Sequence, residues 1–111
     1  MFRHIAAMIA SFAVLTAATA AVSAPFVPDP KKVEAGEEIY ANNCFTCHGE
    51  NLVSTGQTFD LRRLRADERP RFDRSVRKGK KQMPPWEGVL SDKDIDNLWH
   101  FIRAHANDAK K

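Results

Sequence analysis

Apolar positions along this chain fall into three stretches with helical spacing, separated by polar segments rich in turn residues. The first opens at Asp29-Pro30, where Asp29 reads as an N-cap and Pro30 as a first-turn residue whose missing N–H would have no partner in any case. Val33, Gly36 and Tyr40 then recur at i, i+3 and i+7 on one face. Glu34, Glu37 and Glu38 put negative charge near the helix start, where the dipole favours it. This helix is expected to end near Asn42-Asn43. A second is predicted over Glu68–Lys78, with Asp67 as cap, Phe72 and Val76 facing inward and Gly79 as its stop. Ser91 and Asp94 form a capping box ahead of the last helix. There Ile95, Leu98, Trp99 and Ile102 make a wide apolar stripe with Phe101 at its edge.

The intervening segments read differently. Residues 25–30 form a proline-rich, irregular arm, and Gly49 to Asp60 reads as loop with a turn at Ser54-Thr55-Gly56. Leu61 and Leu64 allow one helical turn, and Met83-Pro84-Pro85-Trp86 is another loop. Neither strand alternation nor an internal repeat is present, so the pattern predicts an all-α fold of three to four helices.

The N-terminal part belongs to a different class. Met1-Phe2-Arg3-His4 is a short basic start, and Ile5 to Ala24 contains no charge and ends in small residues. This is the pattern of a bacterial-type secretory signal peptide over residues 1–24, with cleavage between Ala20 and Ala24 and delivery to the periplasm. About 20 apolar residues can also span a bilayer, so an uncleaved leader would be a membrane anchor. Its many Ala, Ser and Thr residues make it a mediocre span. The remainder, 31–111 with the arm before it, is one small domain, expected to be a monomer, and so short a chain buries only a thin core.

Chemistry concentrates in Cys44-Phe45-Thr46-Cys47-His48. Cys-x-x-Cys-His is the attachment pattern for a c-type haem: two thiols add across two vinyl groups, and the adjoining imidazole reaches the iron from one face. A redox disulfide with this spacing usually sits in a βαβ setting, which this chain lacks. A zinc site would need a second pair of ligands, and beyond the motif and leader only His100 and His105 remain. A disulfide between Cys44 and Cys47 would close almost no loop. One covalent haem c, held by Cys44 and Cys47 with His48 on the iron, also supplies the core that the short chain lacks.

Once the leader is removed, Met83 is the sole methionine, 35 residues after His48 and braced by two prolines. A lone Met is ordinarily a core gap-filler, but Met83 lies on no apolar helical stripe. It is therefore the expected second axial ligand. His100 and His105 are read as solvated surface histidines.

From Gly36 to Ala106 the chain resembles a small class I c-type cytochrome. The resemblance runs through Gly36 and Tyr40, the Cys44–Gly49 motif, Val76-Arg77-Lys78-Gly79 leading to Met83-Pro84, and Leu98 with Phe101-Ile102. It implies a cytochrome c fold around one covalently attached haem, with the first and last helices crossing at Gly36. It also implies His48/Met83 axial ligation and service as a one-electron carrier. The sequence departs from the family pattern between Gly56 and Arg71, which is Arg-rich and lacks a Pro beside Asp60-Leu61. The ending Met83-Pro84-Pro85-Trp86 is similar to small cytochromes that accept electrons from periplasmic quinoprotein alcohol dehydrogenases. Such a dehydrogenase is therefore the expected donor, with a terminal oxidase or another carrier as acceptor. The alternative class, a haem enzyme or a gas or redox sensor, requires a displaceable axial ligand and distal acid–base groups. No histidine or acid flanks Met83 before Glu87.

Charge is lopsided. Residues 62–81 hold ten basic and three acidic side chains, a net of +7 in a chain whose net is +3. Nucleic acid is a poor partner for an exported protein with this distribution. A run this basic can simply be a solvated face; the functional alternative is a positive patch, leading into Met83, that suits an acidic redox partner.

Overall fold

The computed structural model describes residues 9–20 and 25–107. Four α-helices succeed one another: α1 (Pro30–Asn43), the single turn α2 (Phe45–His48), α3 (Arg69–Lys78) and α4 (Asp92–Ala104). Short 3-10 turns at Glu50–Leu52, Leu61–Arg63 and Ala66–Glu68 punctuate the connections. There is no strand among the described residues, and none of their helices is long and apolar enough to cross a membrane.

The helix ends form where side chains satisfy free backbone groups. Asp29 accepts from the backbone N–H groups of Lys31 and Lys32, with Pro30 beginning α1. Ser91 and Asp94 exchange side-chain and backbone bonds at 3.0 Å to open α4. α3 departs from expectation: it begins at Arg69, and the 3-10 turn Ala66–Glu68 occupies the predicted start. Asp67 does not cap it. Its carboxylate pairs with Arg65 at 3.0 Å, and the backbone N–H of Arg65 is taken by Glu68.

α1 and α4 form the central pair. Gly36 is buried against α4, where an added Cβ would lie 2.7 Å from the Asn97 carbonyl carbon and 2.8 Å from the Phe101 Cβ. The missing side chain is what lets the helices meet. Tyr40 and Phe101 stack obliquely across the crossing, ring centres 5.2 Å apart. α3 lays Phe72 on Trp99 at 5.1 Å, while Leu52, from the predicted loop, and Leu64, from the predicted turn after it, are buried in the same core. A polar joint ties the three long helices. Asp96 of α4 accepts Lys32 of α1 at 2.7 Å and Arg69 of α3 at 2.9 Å, and Arg69 also holds Asp73 at 2.8 Å.

His100 corrects the sequence expectation. It is buried rather than solvated, 9% exposed, and its Nδ1 accepts from the backbone N–H of Asp29 at 2.9 Å. Its cover comes from the arm: Phe26 packs on His100 at 4.9 Å and edge-on to Trp99 at 6.2 Å. The arm is irregular as far as Asp29 but docked. His105 is exposed as expected.

Much of the expected leader, residues 1–8 and 21–24, lies outside the described residues, as do most of its cleavage positions and the chain end at 108–111. Residues 9–20 form neither helix nor strand and leave Ile9, Phe12, Val14 and Leu15 exposed.

Candidate functional site

The attachment segment hangs directly from the end of α1. The Cys44 N–H bonds to the Tyr40 carbonyl at 2.9 Å, continuing the helical ladder one step, and the chain then turns through α2. The buried Tyr40 hydroxyl donates to the Gly49 carbonyl at 2.6 Å. One side chain of the central pair thus pins the residue after His48. Burial first, and the Cys44 thiol second, push the Tyr40 hydroxyl up to about 12, so it stays a donor.

Cys44 and Cys47 are free thiols, Cys44 half-buried against the core and Cys47 exposed. Burial, then the neighbouring Cys47, pushes the Cys44 thiol up to about 11. Among the described residues no group of three or more His, Cys, Asp or Glu could hold a metal ion.

His48 is half-buried, and burial lowers its basicity while a backbone bond with Phe59 opposes that. Its Nδ1 lies 3.1 Å from the Thr58 hydroxyl, which itself donates to the Cys47 carbonyl at 3.1 Å. With Nδ1 engaged, Nε2 is the ring nitrogen left for a metal. The segment beyond Thr58 is held on both sides: Arg71 of α3 stacks its guanidinium 4.6 Å from the Phe59 ring centre, and Arg62 grips Asp60 through two bonds of 3.0 Å.

Met83 reaches the core from a different direction. α3 stops at Gly79, whose φ of 75° and close approach to the Met83 and Pro84 backbone both exclude a side chain. Lys80 and Met83 exchange two backbone bonds of 3.0 Å, and the Trp86 N–H bonds to the Val76 carbonyl at 2.8 Å. The loop is clamped to α3 by these main-chain bonds and by the Lys78–Glu87 ion pair at 2.6 Å, and the thioether is half-buried against the core.

These donors fit a haem: two thiols three residues apart, an imidazole with its second nitrogen engaged, and a thioether on a separate rigid loop. Apolar side chains left uncovered beside the segment, Phe45 at 47%, Val53 at 58% and Phe59 at 41% exposure, also suit a large apolar group there. A cleft of about 340 Å³ lined by Glu37, Tyr40, Phe45, Glu50 and Phe101 includes none of Cys44, Cys47, His48 and Met83 in its lining.

The basic run is less bare than its count suggests. Arg62, Arg65, Arg69, Arg71, Arg77 and Lys78 all hold carboxylates. Arg74 and Lys80 have no such partner among the described residues, and with Arg71, Ser75, Lys78 and Gly79 they line a cleft of about 440 Å³ that reaches the start of the Met83 loop. Thr58 is the residue that sequence reasoning missed. No spacing rule marks a hydroxyl ten residues after the motif histidine.

Comparison with known proteins agrees with the fold and with haem as the cofactor. The family model described as cytochrome c oxidase, cbb3-type, subunit III, matches residues 31–102. The chain belongs to the cytochrome c family. Proteins of this family bind one covalently attached haem c, which is the cofactor here. Cytochrome c6 of Euglena gracilis is 34% identical over 83 residues, 67% of this chain and 93% of that protein. The quinohemoprotein alcohol dehydrogenase of Comamonas testosteroni is 36% identical over 83 residues, 71% of this chain but only 12% of the enzyme. The solved structure of quinohemoprotein alcohol dehydrogenase ADHIIG from Pseudomonas putida HK5 superposes with a TM-score of 0.67 at 26% identity, covering 89% of this chain and 15% of that one. The structure is thus a helical, cytochrome c-like fold.

Proposed function

We propose that this protein is an exported one-electron carrier. Haem attaches at Cys44 and Cys47 and is ligated by His48 and Met83; residues 1–24 are a leader removed on export to the periplasm. The haem supplies one-electron exchange, and the chain's residues do the rest. Tyr40 and Thr58 hold the attachment segment, the clamped loop presents Met83, and the core excludes water. The observation that carries this reading is the donor set itself, with His48 Nδ1 already engaged and the lone thioether on a loop fixed by its own backbone. The exposed apolar side chains of residues 9–20 suit a segment that does not remain with the folded domain.

The dehydrogenases that resemble this chain are much longer, and what their names describe belongs to them as whole proteins. Their likeness supports a partnership. This chain acts as a free counterpart of such a cytochrome domain, taking electrons from a separate acidic quinoprotein dehydrogenase and passing them to an oxidase or another carrier. The basic cleft beside the Met83 loop is the docking side.

Spectroscopy tests the ligand pair. The oxidised protein should show the weak far-red band of a sulfur-to-iron charge transfer. Met83→Ala should abolish it, lower the reduction potential and admit added cyanide or carbon monoxide. Retention of band and potential in that variant would remove Met83 from the site and the carrier reading with it.

A further inference from the structure

We propose that Thr58 is a positioning residue that sets the tautomer of His48 and, through it, the reduction potential. The inference rests on the proposed ligation of iron by His48. It begins from two distances: the Thr58 Oγ1 is 3.1 Å from the Cys47 carbonyl oxygen and 3.1 Å from His48 Nδ1.

A hydroxyl has one proton to give and lone pairs to receive with. The Cys47 carbonyl can only accept, so the Thr58 proton goes to it. What faces His48 is then a lone pair, and Nδ1 must carry the hydrogen that completes the contact. A neutral imidazole with hydrogen on Nδ1 has a bare Nε2. The opposite assignment, Thr58 donating to Nδ1, would leave the Cys47 carbonyl without this donor and put hydrogen on Nε2, where it would block a metal bond. The carbonyl thus selects the metal-ready tautomer through the hydroxyl between them.

The same hydroxyl also acts electronically. A ligating histidine that donates its other N–H becomes a more basic ligand, and a more electron-rich ligand stabilises the oxidised iron. Hydrogen bonding at this position should therefore hold the potential down. The Phe59 backbone also bonds to the His48 ring, so Thr58 is one of two supports for it. Its distinctive contribution is the link to Cys47. One side chain joins the second attachment cysteine to the ring next in the chain, across a turn closed by Ser54, whose hydroxyl accepts the Gly56 N–H at 3.2 Å. The threonine stays in place because its neighbours are gripped by Arg71 and Arg62.

The test uses the haem-loaded protein with Thr58→Val, which keeps the shape and removes the hydroxyl, and Thr58→Ser, which restores it. Thr58→Val should raise the reduction potential by about threefold in the reduced-to-oxidised ratio at fixed ambient potential. At 59 mV per tenfold for a one-electron couple that is about 30 mV. The His48 Nδ1 proton, followed by NMR, should exchange with solvent at least about tenfold faster, and Thr58→Ser should return both towards the parent values. A purely structural Thr58 would give a lower melting temperature in Thr58→Val with potential and proton exchange unchanged, and that result overturns the proposal. His48→Ala separates the underlying reading. If the spectrum of that variant matches the parent, His48 is not the ligand and the carrier proposal fails first; if ligation is lost but Thr58→Val leaves the potential alone, only the role given to Thr58 fails.

Discussion

Replacing Gly36 by alanine sets two effects of opposite sign against each other. Alanine is a better helix residue than glycine by about 1 kcal/mol in a helix interior, so propensity alone predicts a more stable protein. The α1–α4 crossing predicts the reverse. The new Cβ would lie 2.7 Å from the Asn97 carbonyl carbon and 2.8 Å from the Phe101 Cβ, where carbon atoms prefer about 3.5–4.0 Å. The helices would have to part by roughly 1 Å, and gaps of that order forfeit about a quarter to a half of the dispersion energy of the atoms lining them. Backbone on the α4 side cannot rotate away, so the strain belongs at the upper end of the usual overpacking range of about 1–3 kcal/mol. The net expectation is a loss of about 2 kcal/mol, a large part of a small domain's stability. Urea unfolding of the haem-loaded protein, followed by helical circular dichroism, should show the midpoint falling by about 1–2 M for a slope of about 1–1.5 kcal/mol/M. A midpoint at or above that of the parent, with unchanged slope, would refute the close approach at Gly36.

Two further expectations concern charge. Burial lowers the His100 pKa, against the opposing pull of Asp96, with Lys32, Asp29 and Arg69 as the other charged groups around it. The unfolded chain then takes up a proton that the folded protein resists: stability is fully present above the ordinary histidine value of about 6.5 and declines as pH falls towards the lower folded value. Unfolding free energies across this range should lose part of their pH slope in His100→Gln, and an unchanged slope would remove His100 as its source. Reversing Arg74, Lys80 and Lys81 to Glu should slow reduction by an acidic donor by about tenfold or more at low salt while leaving the spectrum intact. Stopped-flow rates should converge at high salt, and a salt-independent rate untouched by the reversals would show that the basic cleft is not the docking side.

Local signals made most of the scaffold legible. Asp29, Ser91 and Asp94 cap the helices where their spacing placed them, and Gly36 sits at the crossing. The readings that changed depended on residues far apart in sequence. His100 looked solvated because nothing in α4 announces that Phe26 and Asp29, more than 70 positions earlier, fold over it. Asp67 looked like a cap because a 3-10 turn and an α-helix start alike in sequence. The basic run, counted along the chain, concealed partners at Asp60, Glu87, Asp92 and Asp96, all outside it. Thr58 was invisible for a related reason: its role is defined by what it stands between.

The joint at Asp96 has a bearing on how the molecule opens. One carboxylate, 29% exposed, binds Lys32 with one oxygen and Arg69 with the other, so α3 is fastened to the central pair partly by charge within reach of solvent. Dissolved salt weakens such fastening and leaves the Tyr40–Phe101 contact untouched. Amide protons of α3, and of the Met83 loop bonded to it, should therefore exchange through an opening cheaper than global unfolding and more frequent as ionic strength rises. Those of α1 and α4 should keep their protection. The two proposed iron ligands then ride on pieces of unequal firmness: His48 continues from the part that holds, and Met83 belongs to the part that lets go first.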